Sequence, residues 1–464
     1  MPNPVVLIHG YSDSGKGFEP WRKILTDSGR SVTDVHTCNY ETLTNEVSLS
    51  DLAEAFDRAL RLETSLREGQ PFDAIVHSTG MLVIRAWLAM YAHRRERLKR
   101  LVALAPATFG SPLAHRGRSW VGAIFKGRRQ LGPDFLEAGD RVLDALELGS
   151  RITWDLAHRD LVGEGHRCYG ADGDTPYVFV FCGTRGYRGA ASVANTPGAD
   201  GTVRWAGTPL NTRKIVLDLT REQGTEERFR VAPFTNLDIP LIPVEGLDHG
   251  TILSEPTPDL RRMVLDALQV DSAESLAAWH ASEAVRRAVA HRESGRMPRF
   301  QQFVVRVMDE RGDPVPDYNI QMLTYDARGR EKEIRAFMDD VHTYEGDKSF
   351  RSFHVNLDEV KPETLPNLWM RVIASSGSRL VGYHGIGSEK IDPSGTLRDA
   401  DGKWDARVDV SAVLGTDPAG LPPGAAQALR ETRLFYPFTT TLLEIRLNRE
   451  PLPLGGDQPN HVLW

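Results

Sequence analysis

The sequence predicts an α/β fold with a mostly parallel sheet in its first half and an all-β sandwich in its second half. Before Met297, short β-rich runs alternate with stretches of helical periodicity, which is the pattern of a parallel sheet covered by helices. After Met297 the pattern changes to strands of alternating hydrophobicity separated by turns. A length of 464 residues leaves room for two or three domains, so each half can form its own core.

The strands of the first half are predicted from mostly continuous apolar runs, because parallel strands are buried on both faces of their sheet. The predicted strands lie at residues 5–9, 32–38, 74–77, 101–105, 177–182 and 241–244. Amphipathic helices are predicted between them: one follows an expected N-cap at Ser50, and the next begins at Met81. Further helices are predicted over residues 258–268 and 273–291.

These patterns divide the chain into three parts. Residues 1–270 form the predicted α/β domain, residues 271–296 a helical linker, and residues 297–464 the β-sandwich. From about residue 111 to residue 170 the periodicity is helical without intervening strands, which indicates a helical lid. We therefore expect the lid to belong to the first domain.

Composition and charge exclude several classes of protein. Hydrophobic residues at 41% and charged residues at 26% are ordinary for a globular chain and exclude fibrous and disordered proteins. The formal net charge of -7 provides no broad positive field, so no nucleic-acid partner is expected. The most apolar long stretch, residues 74–93, contains Ser78 and Arg85, so no transmembrane segment is predicted. No basic segment or cleavage site precedes the first strand, so a cytoplasmic location is expected, or a secreted one if a signal peptide has been removed.

No metal and no cofactor are expected. The cysteines Cys38, Cys168 and Cys182 lack a metal-ligand spacing such as C-x-x-C and are interpreted as structural thiols. In the predicted sandwich, the acidic segments at Asp339-Asp340 and Asp347 have the chemistry of a Ca²⁺ site. Acidic turns are far commoner than calcium sites, so we predict no required metal.

Ser78 lies where a predicted buried strand meets a predicted helix, in the sequence Ile75-Val76-His77-Ser78-Thr79-Gly80. A serine at such a turn projects its hydroxyl above the sheet, and the backbone N–H of the next residue, Thr79, can stabilise an oxyanion. The usual pattern is G-x-S-x-G; here Val76 replaces the first glycine and Gly80 matches the second. Ser78 is therefore the candidate nucleophile, and Thr79 is a candidate oxyanion donor.

Two further residues complete a candidate catalytic set in the chain order Ser, acid, His. His249 follows the last predicted strand of the domain, where a loop can bring its imidazole to the serine to accept and return a proton. Asp200 lies in a turn that follows the fifth predicted strand, and it would hold the imidazole. Asp248 is the second choice, because a direct neighbour of His249 needs an unusual backbone to orient that ring. The backbone N–H of Tyr11, after the first strand, is the candidate second oxyanion donor.

Five short segments together resemble bacterial triacylglycerol lipases and carboxylesterases of the α/β-hydrolase superfamily. They are His9-Gly10-Tyr11, His77-Ser78-Thr79-Gly80, Thr108-Phe109-Gly110-Ser111-Pro112-Leu113-Ala114, Asp200-Gly201-Thr202-Val203 and Asp248-His249-Gly250. The resemblance covers about residues 1–270, and it departs from the family at Val76 and at Ala107-Thr108, where T-P is usual. It implies the α/β-hydrolase fold, a mobile lid, and cleavage of a lipid or other carboxylic ester by a Ser-His-Asp triad through an acyl-enzyme.

Two alternative interpretations stay open. The segment Gly10-Tyr11-Ser12-Asp13-Ser14-Gly15-Lys16 matches the G-x-x-x-x-G-K of a phosphate-binding loop, although Gly17 stands where Ser or Thr would hold Mg²⁺. Val76 would suit a non-catalytic binding protein on a hydrolase scaffold.

In the lid, basic residues alternate with apolar ones, which is typical of peripheral contact with anionic lipid or of a solvated cap helix. These residues are Arg116, Arg118, Lys126, Arg128 and Arg129, beside Trp120, Ile124 and Phe125.

Overall fold

The structure of the protein is a computed structural model. It describes residues 2–9, 16–35, 47–62, 66, 69–115, 140–163, 168–170, 174–222, 225–236, 238–326, 328–360, 368–377, 381–386, 389–390, 404–409 and 433–451. The strands are β1 (Val5–Ile8), β2 (Val32–Val35), β3 (Phe72–His77), β4 (Leu98–Leu104), β5 (Tyr177–Gly183), β6 (Thr212–Asp218), β7 (Phe229–Val231), β8 (Leu241–Val244), β9 (Phe300–Asp309), β10 (Asp317–Tyr325), β11 (Glu331–Glu333), β12 (Val341–Thr343), β13 (Phe350–Asn356), β14 (Trp369–Ser375), β15 (Val381–His384), β16 (Glu389–Lys390), β17 (Trp404–Asp409) and β18 (Thr440–Pro451). The helices are α1 (Glu19–Asp27), α2 (Leu49–Leu62), α3 (Gly80–Met90), α4 (Pro112–His115), α5 (Asp140–Leu146), α6 (Arg151–Asp160), α7 (Thr251–Ser254), α8 (Pro258–Ala267), α9 (Ala273–Ala281) and α10 (Glu283–Glu293).

The first compact unit contains a parallel sheet in the order β2-β1-β3-β4-β5-β8. Strands β1 and β3 are buried at every residue, as expected for continuous apolar runs in a sheet that is covered on both faces. Each of the six predicted strands is present, and β3 and β4 begin earlier than predicted, at Phe72 and Leu98. The predicted α/β fold with a mostly parallel sheet is confirmed.

Helix α3 follows β3 directly and is buried from Gly80 to Leu88, packing against α2 and α6. Its one internal charge, Arg85, forms two hydrogen bonds with Asp160 of α6, at 2.8 Å and 2.9 Å. The hydroxyl of Tyr169 donates to the same carboxylate at 2.7 Å. A buried guanidinium needs such a partner, because an unpaired charge in the interior is strongly destabilising. The ion pair between Arg85 and Asp160 therefore fixes α3, the helix that begins beside Ser78.

Helix α2 shows one error of the sequence analysis. The predicted N-cap, Ser50, lies inside the helix, because α2 begins at Leu49. Ser48 caps it instead: its hydroxyl accepts the backbone N–H of Asp51 at 3.3 Å, and the carboxylate of Asp51 accepts the backbone N–H of Ser48 at 2.7 Å. This reciprocal arrangement satisfies two backbone donors at the helix start.

The second unit consists of two sheets that share one hydrophobic core. Their strand orders are β11-β10-β14-β17-β16 and β12-β13-β9-β18-β6-β7, and β15 pairs with β18. Core residues alternate along the strands, as with Phe303, Val305 and Val307 on β9, because successive side chains point to opposite faces of a sheet. The fold class predicted for the second part of the chain, an all-β sandwich, is confirmed.

The division of the chain differs from the predicted boundaries. The first unit comprises Met1–Thr212 and Thr235–Arg299, and the second comprises Arg213–Phe234 and Phe300–Trp464. The predicted linker at residues 271–296 is part of the first unit, because Trp279 of α9 packs edge-on against Phe179 of β5 with ring centroids 4.7 Å apart. Residues 213–234 were assigned to the α/β domain, but they supply β6 and β7 to the sandwich.

Candidate active site

Ser78 occupies a sharp turn between β3 and α3, where its φ angle is 52°. A non-glycine residue with this φ is strained and persists only when its surroundings hold it. Two backbone hydrogen bonds do so: the N–H of Ser78 donates to the carbonyl of Leu104 at 3.3 Å, and its carbonyl accepts the N–H of Ala107 at 3.0 Å. Val76 is fully buried within β3, so the turn forms with valine in place of the usual glycine.

The start of α3 lies directly against the end of β1. A Cβ atom on Gly80 would lie 2.6 Å from the carbonyl oxygen of Ile8 and 3.1 Å from that of His9, so a side chain is excluded there. The backbone N–H of Thr79 donates to no oxygen within the described residues. A free N–H at the beginning of a helix is suited to an oxyanion.

His249 is carried by the loop between β8 and α7. Glycine at the end of β5 permits this loop to approach, since a Cβ atom on Gly183 would collide with the carbonyl oxygen of Leu247. The backbone N–H of His249 donates to the carbonyl of Asp200 at 3.1 Å. The carbonyl oxygen of His249 lies 3.0 Å from Nε2 of His77. These contacts hold the main chain of the loop on two sides.

Ser78, His249 and Asp200 form one hydrogen-bonded chain. The distance from His249 Nε2 to Ser78 Oγ is 3.1 Å, and that from His249 Nδ1 to Asp200 Oδ2 is 2.9 Å. Because a carboxylate only accepts, Nδ1 carries the proton and Nε2 is left to accept from the serine hydroxyl. Asp200 is fully buried and His249 is buried, so water does not compete for their hydrogen bond. Such an arrangement can remove the hydroxyl proton during nucleophilic attack.

The carboxylate of Asp200 is oriented by three further donors. Its Oδ1 accepts the backbone N–H groups of Thr202 and Val203 at 3.0 Å and 2.8 Å. The thiol of Cys182 donates to Oδ2 at 3.6 Å. Burial, together with the neighbouring Asp200, raises the pKa of the Cys182 thiol well above its usual value, so the thiol stays protonated and able to donate. Oδ2 is therefore shared between the thiol and the imidazole.

The turn that carries Asp200 is packed against two other segments. The ring of Tyr187 lies over Gly201, where a Cβ atom would come within 2.7 Å of it, and the φ angle of Gly201 is 102°. Glycine is thus required there both for space and for conformation. The hydroxyl oxygens of Tyr187 and Thr202 are 2.5 Å apart, and the hydroxyl of Ser111 donates to the carbonyl of Thr202 at 2.6 Å. The acid is therefore held rigidly.

Asp248, the second choice for the acid, is engaged elsewhere. Its Oδ1 accepts the backbone N–H groups of Gly250 and Thr251 at 3.2 Å and 2.9 Å at the start of α7, and its Oδ2 pairs with Arg185 at 3.1 Å. Burial alone would raise the pKa of Asp248, but the hydrogen bonds from Thr251 and Arg185 lower it below its usual value. The distances thus favour Asp200 as the partner of His249.

His77 and Cys182 are residues of this site for which the sequence predicts no contact with the candidate triad. The rings of His77 and His249 lie 4.6 Å apart between centroids. A sequence signal existed for each: His77 directly precedes the candidate nucleophile, and Cys182 directly precedes the glycine that ends β5. Neither signal predicts which partner the side chain meets.

Three sequence predictions fall outside the described residues. They are the oxyanion donor Tyr11, the phosphate-binding pattern through residues 10–15, and the basic and apolar residues of the lid within 116–139. The flanks of the predicted lid are described: α4, α5 and α6 are helical, as the periodicity predicted.

The acidic segments of the second unit interact with protein groups. Asp340 Oδ2 lies 3.3 Å from His354 Nδ1, and Asp347 Oδ1 accepts the backbone N–H of Ser349 at 3.0 Å. Across the described ranges, no three side chains of His, Cys, Asp or Glu are grouped to hold a metal ion. The described part of the chain also contains no helix that is both long and apolar enough to cross a membrane.

The parallel sheet order, the strained strand-to-helix turn at Ser78 and the histidine loop after β8 define an α/β-hydrolase fold. Solved structures agree with this class. Phospholipase PlaB from Legionella pneumophila is similar over 99% of this chain and 97% of that chain, with 22% identity and a TM-score of 0.72. PlaB in complex with thio-NAD has the same identity and coverage and a TM-score of 0.71.

A third similar structure is the mature form of lipase BlEst2 from Bacillus licheniformis. It has 14% identity and a TM-score of 0.36, over 54% of this chain and 86% of that chain. No protein-family model matches the chain, and no curated protein matches it.

Proposed function

We propose that the protein hydrolyses carboxylic esters, with Ser78 as nucleophile, His249 as general base and acid, and Asp200 as the residue that orients the imidazole. The observation that carries this proposal is the hydrogen-bonded chain from Asp200 Oδ2 through His249 to Ser78 Oγ, with distances of 2.9 Å and 3.1 Å. A serine in a strained turn is poised for attack, because its hydroxyl is already aligned with the base.

The reaction follows from these positions in two stages. Ser78 Oγ attacks the ester carbonyl while His249 Nε2 accepts the hydroxyl proton, and the N–H of Thr79 stabilises the developing oxyanion. Collapse of the tetrahedral intermediate expels the alcohol, which takes the proton from His249, and leaves an acyl-enzyme. Water then attacks the acyl-enzyme with the same base and releases the acid. The N–H of Tyr11 remains the predicted second oxyanion donor.

Phospholipid acyl esters are the substrate class to test first. The similarity to the Legionella phospholipase extends over nearly the full length of both chains, including the β-sandwich. This supports phospholipids over small soluble esters as the substrate. Contact of the basic lid residues with anionic lipid, one of the two interpretations of their pattern, would be in keeping with that choice.

The proposal is tested with a fluorophosphonate probe, which reacts only with an activated serine. We expect the wild-type protein to be labelled and Ser78→Ala to lose labelling and to lose ester hydrolysis by about 10⁴-fold or more. Ser254→Ala, which changes an exposed serine of the same unit, should behave as the wild type. Hydrolysis of p-nitrophenyl esters of increasing chain length and of phosphatidylcholine in mixed micelles then defines the substrate class.

Two outcomes would contradict the proposal. An unlabelled wild-type protein would support a non-catalytic binding protein on a hydrolase scaffold. Ester hydrolysis that is retained in Ser78→Ala would show that another group is the nucleophile. Hydrolysis of short esters without hydrolysis of phosphatidylcholine would reject only the phospholipid assignment.

A further inference from the structure

We propose that His77 is a positioning residue for the general base: its Nε2–H donates to the main-chain carbonyl of His249 and fixes the loop that carries that histidine. This inference rests on the proposed function, because it assigns a role within the same reaction. It concerns the backbone of His249, whereas Asp200 holds the imidazole.

Three observations point to this role. The distance from His77 Nε2 to the carbonyl oxygen of His249 is 3.0 Å, within a buried environment. The two imidazole rings lie against each other with centroids 4.6 Å apart. The rings of His77 and Phe18 are nearly perpendicular, with centroids 6.5 Å apart. The side chain is therefore packed between aromatic neighbours, with its Nε2 beside the carbonyl oxygen of His249.

The chemistry of the contact sets the protonation of His77. A carbonyl oxygen only accepts, so Nε2 must carry a hydrogen for the 3.0 Å contact to be a hydrogen bond. This hydrogen bond holds the peptide group that follows His249. The peptide group that precedes it is held as well, because the backbone N–H of His249 donates to the carbonyl of Asp200 at 3.1 Å. One bond ties the loop to the turn that carries Asp200, and the other ties it to β3, the strand that ends directly before Ser78.

The position of this strand explains why such a tie affects the reaction. His77 is the last residue of β3, and the next residue, Ser78, is in the strained turn. A bond from His77 to His249 therefore links the main chain of the nucleophile with that of the base. A displacement of about 1 Å between reacting groups can cost about 10²-fold in rate, so loss of this link should lower kcat.

The test compares His77→Gln with His77→Met, because the two side chains have similar length and only glutamine can donate a hydrogen bond. We expect His77→Met to lower kcat and the rate of fluorophosphonate labelling by about 10- to 100-fold, with KM changed by less than about 3-fold. His77→Gln should recover most of both rates. Wild-type rates in both variants, or equal losses in both, would overturn the proposal and leave His77 with a packing role.

A second measurement uses the unaltered protein and does not depend on how the variants fold. In protein labelled with ¹⁵N-histidine, the ring of His77 is identified by its contacts with His249 and Phe18, and NMR reports which ring nitrogen is protonated. Protonated Nε2 supports the inference, and a neutral ring protonated only at Nδ1 overturns it. A wild-type protein that reacts with neither probe nor ester would instead refute the proposed function.

Discussion

At the scale of single residues, two carboxylates near the candidate base have different partners. Asp200 accepts from the imidazole of His249, whereas Asp248 caps α7 and pairs with Arg185. The second arrangement holds the loop that leads into α7 without reaching the imidazole. A change at Asp248 should therefore affect stability more than chemistry.

We expect Asp248→Asn to lower the free energy of unfolding by about 1 kcal/mol at neutral pH, because the ion pair and charge-assisted hydrogen bonds are weakened. The folded-state pKa of Asp248 is depressed by Thr251 and Arg185 against the effect of burial. The contribution of Asp248 to stability is thus present above the unfolded-state pKa of about 3.9, and it is lost as the pH falls through the folded-state pKa. Urea unfolding from neutral to acidic pH should show the difference between variant and wild type shrinking as the pH falls below about 4.

The matched control is Asp259→Asn, which removes an exposed partner of Arg287. Exposed ion pairs contribute little to stability, so the free energy of unfolding of this variant should stay within about 0.5 kcal/mol of the wild-type value at every pH. A difference for Asp248→Asn that is the same at neutral and acidic pH would contradict the assigned role of its charge.

The positions of Ser78, His249 and Asp200 could be proposed from the sequence because each follows the end of a predicted strand. Parallel strands present their carboxyl ends at one edge of the sheet, so residues far apart in the chain meet there. Cys182 and His77 could not be assigned in the same way. Their partners depend on distances of a few ångströms between side chain and loop, which strand order alone does not determine.

At the scale of elements, the start of α3 lies directly against the end of β1. We expect Gly80→Ala to destabilise the protein by about 1–3 kcal/mol, because its Cβ would overlap the backbone carbonyl of Ile8 and the strand would have to move. The movement would also displace the N–H of Thr79, so fluorophosphonate labelling should slow. Thermal unfolding and the labelling rate measure the two effects.

Gly250→Ala is the control, because it lies directly after His249 and, among the described residues, a Cβ atom there would meet only Asp248 Oδ1, at 3.8 Å. That is an ordinary van der Waals distance, and the residue has helical φ and ψ angles. We expect stability and labelling close to those of the wild type. Equal losses in both glycine variants would show that proximity to the site, and not the contact with β1, causes the effect.

The parallel strands were predictable as elements because long apolar runs in an alternating β and α pattern have few other interpretations. The exact helix start at α2 was not, because Ser48 and Ser50 are both suitable caps in isolation. The choice depends on which serine stands outside the first turn. Here the carboxylate of Asp51 completes a reciprocal cap with Ser48.

At the scale of the whole molecule, the chain leaves the first unit after Thr212 and returns to it at Thr235. The two ends of this excursion are close together, since the side-chain amide of Asn236 donates to the carbonyl of Leu210 at 3.3 Å. In between, Lys214 of β6 pairs with Glu444 of β18 at 2.6 Å. The second unit is thus built from two separate stretches of chain.

From the sequence, residues 213–234 are predicted to belong to the α/β domain, and the error has a physical reason. The run Thr212–Asp218 is a β-rich segment that suits any sheet, and its neighbour β18 lies at Thr440–Pro451, far along the chain. Pairing between such distant strands leaves no local trace in the pattern of residues. Only the three-dimensional structure reveals that β6 belongs to the sandwich.

This topology predicts how the first unit behaves alone. A chain that ends at Arg299 but keeps residues 213–234 would expose Ile215, Leu217 and Leu219, which are buried in the sandwich core. Burial of each such side chain contributes about 1.5–3 kcal/mol, so we expect this chain to aggregate. Replacing residues 213–234 with a short Gly-Ser linker should give a soluble protein, because the ends of the excursion are already adjacent.

Size-exclusion chromatography and thermal unfolding distinguish the two shortened chains. A third chain, which keeps the excursion but carries Ile215→Thr and Leu217→Thr, should be intermediate in solubility, because it exposes less apolar surface at the same length. Labelling at Ser78 then shows whether the soluble form retains an active nucleophile. If the linker chain aggregates as strongly as the chain with the excursion, the exposed strands are not the cause, and the first unit requires the sandwich for another reason.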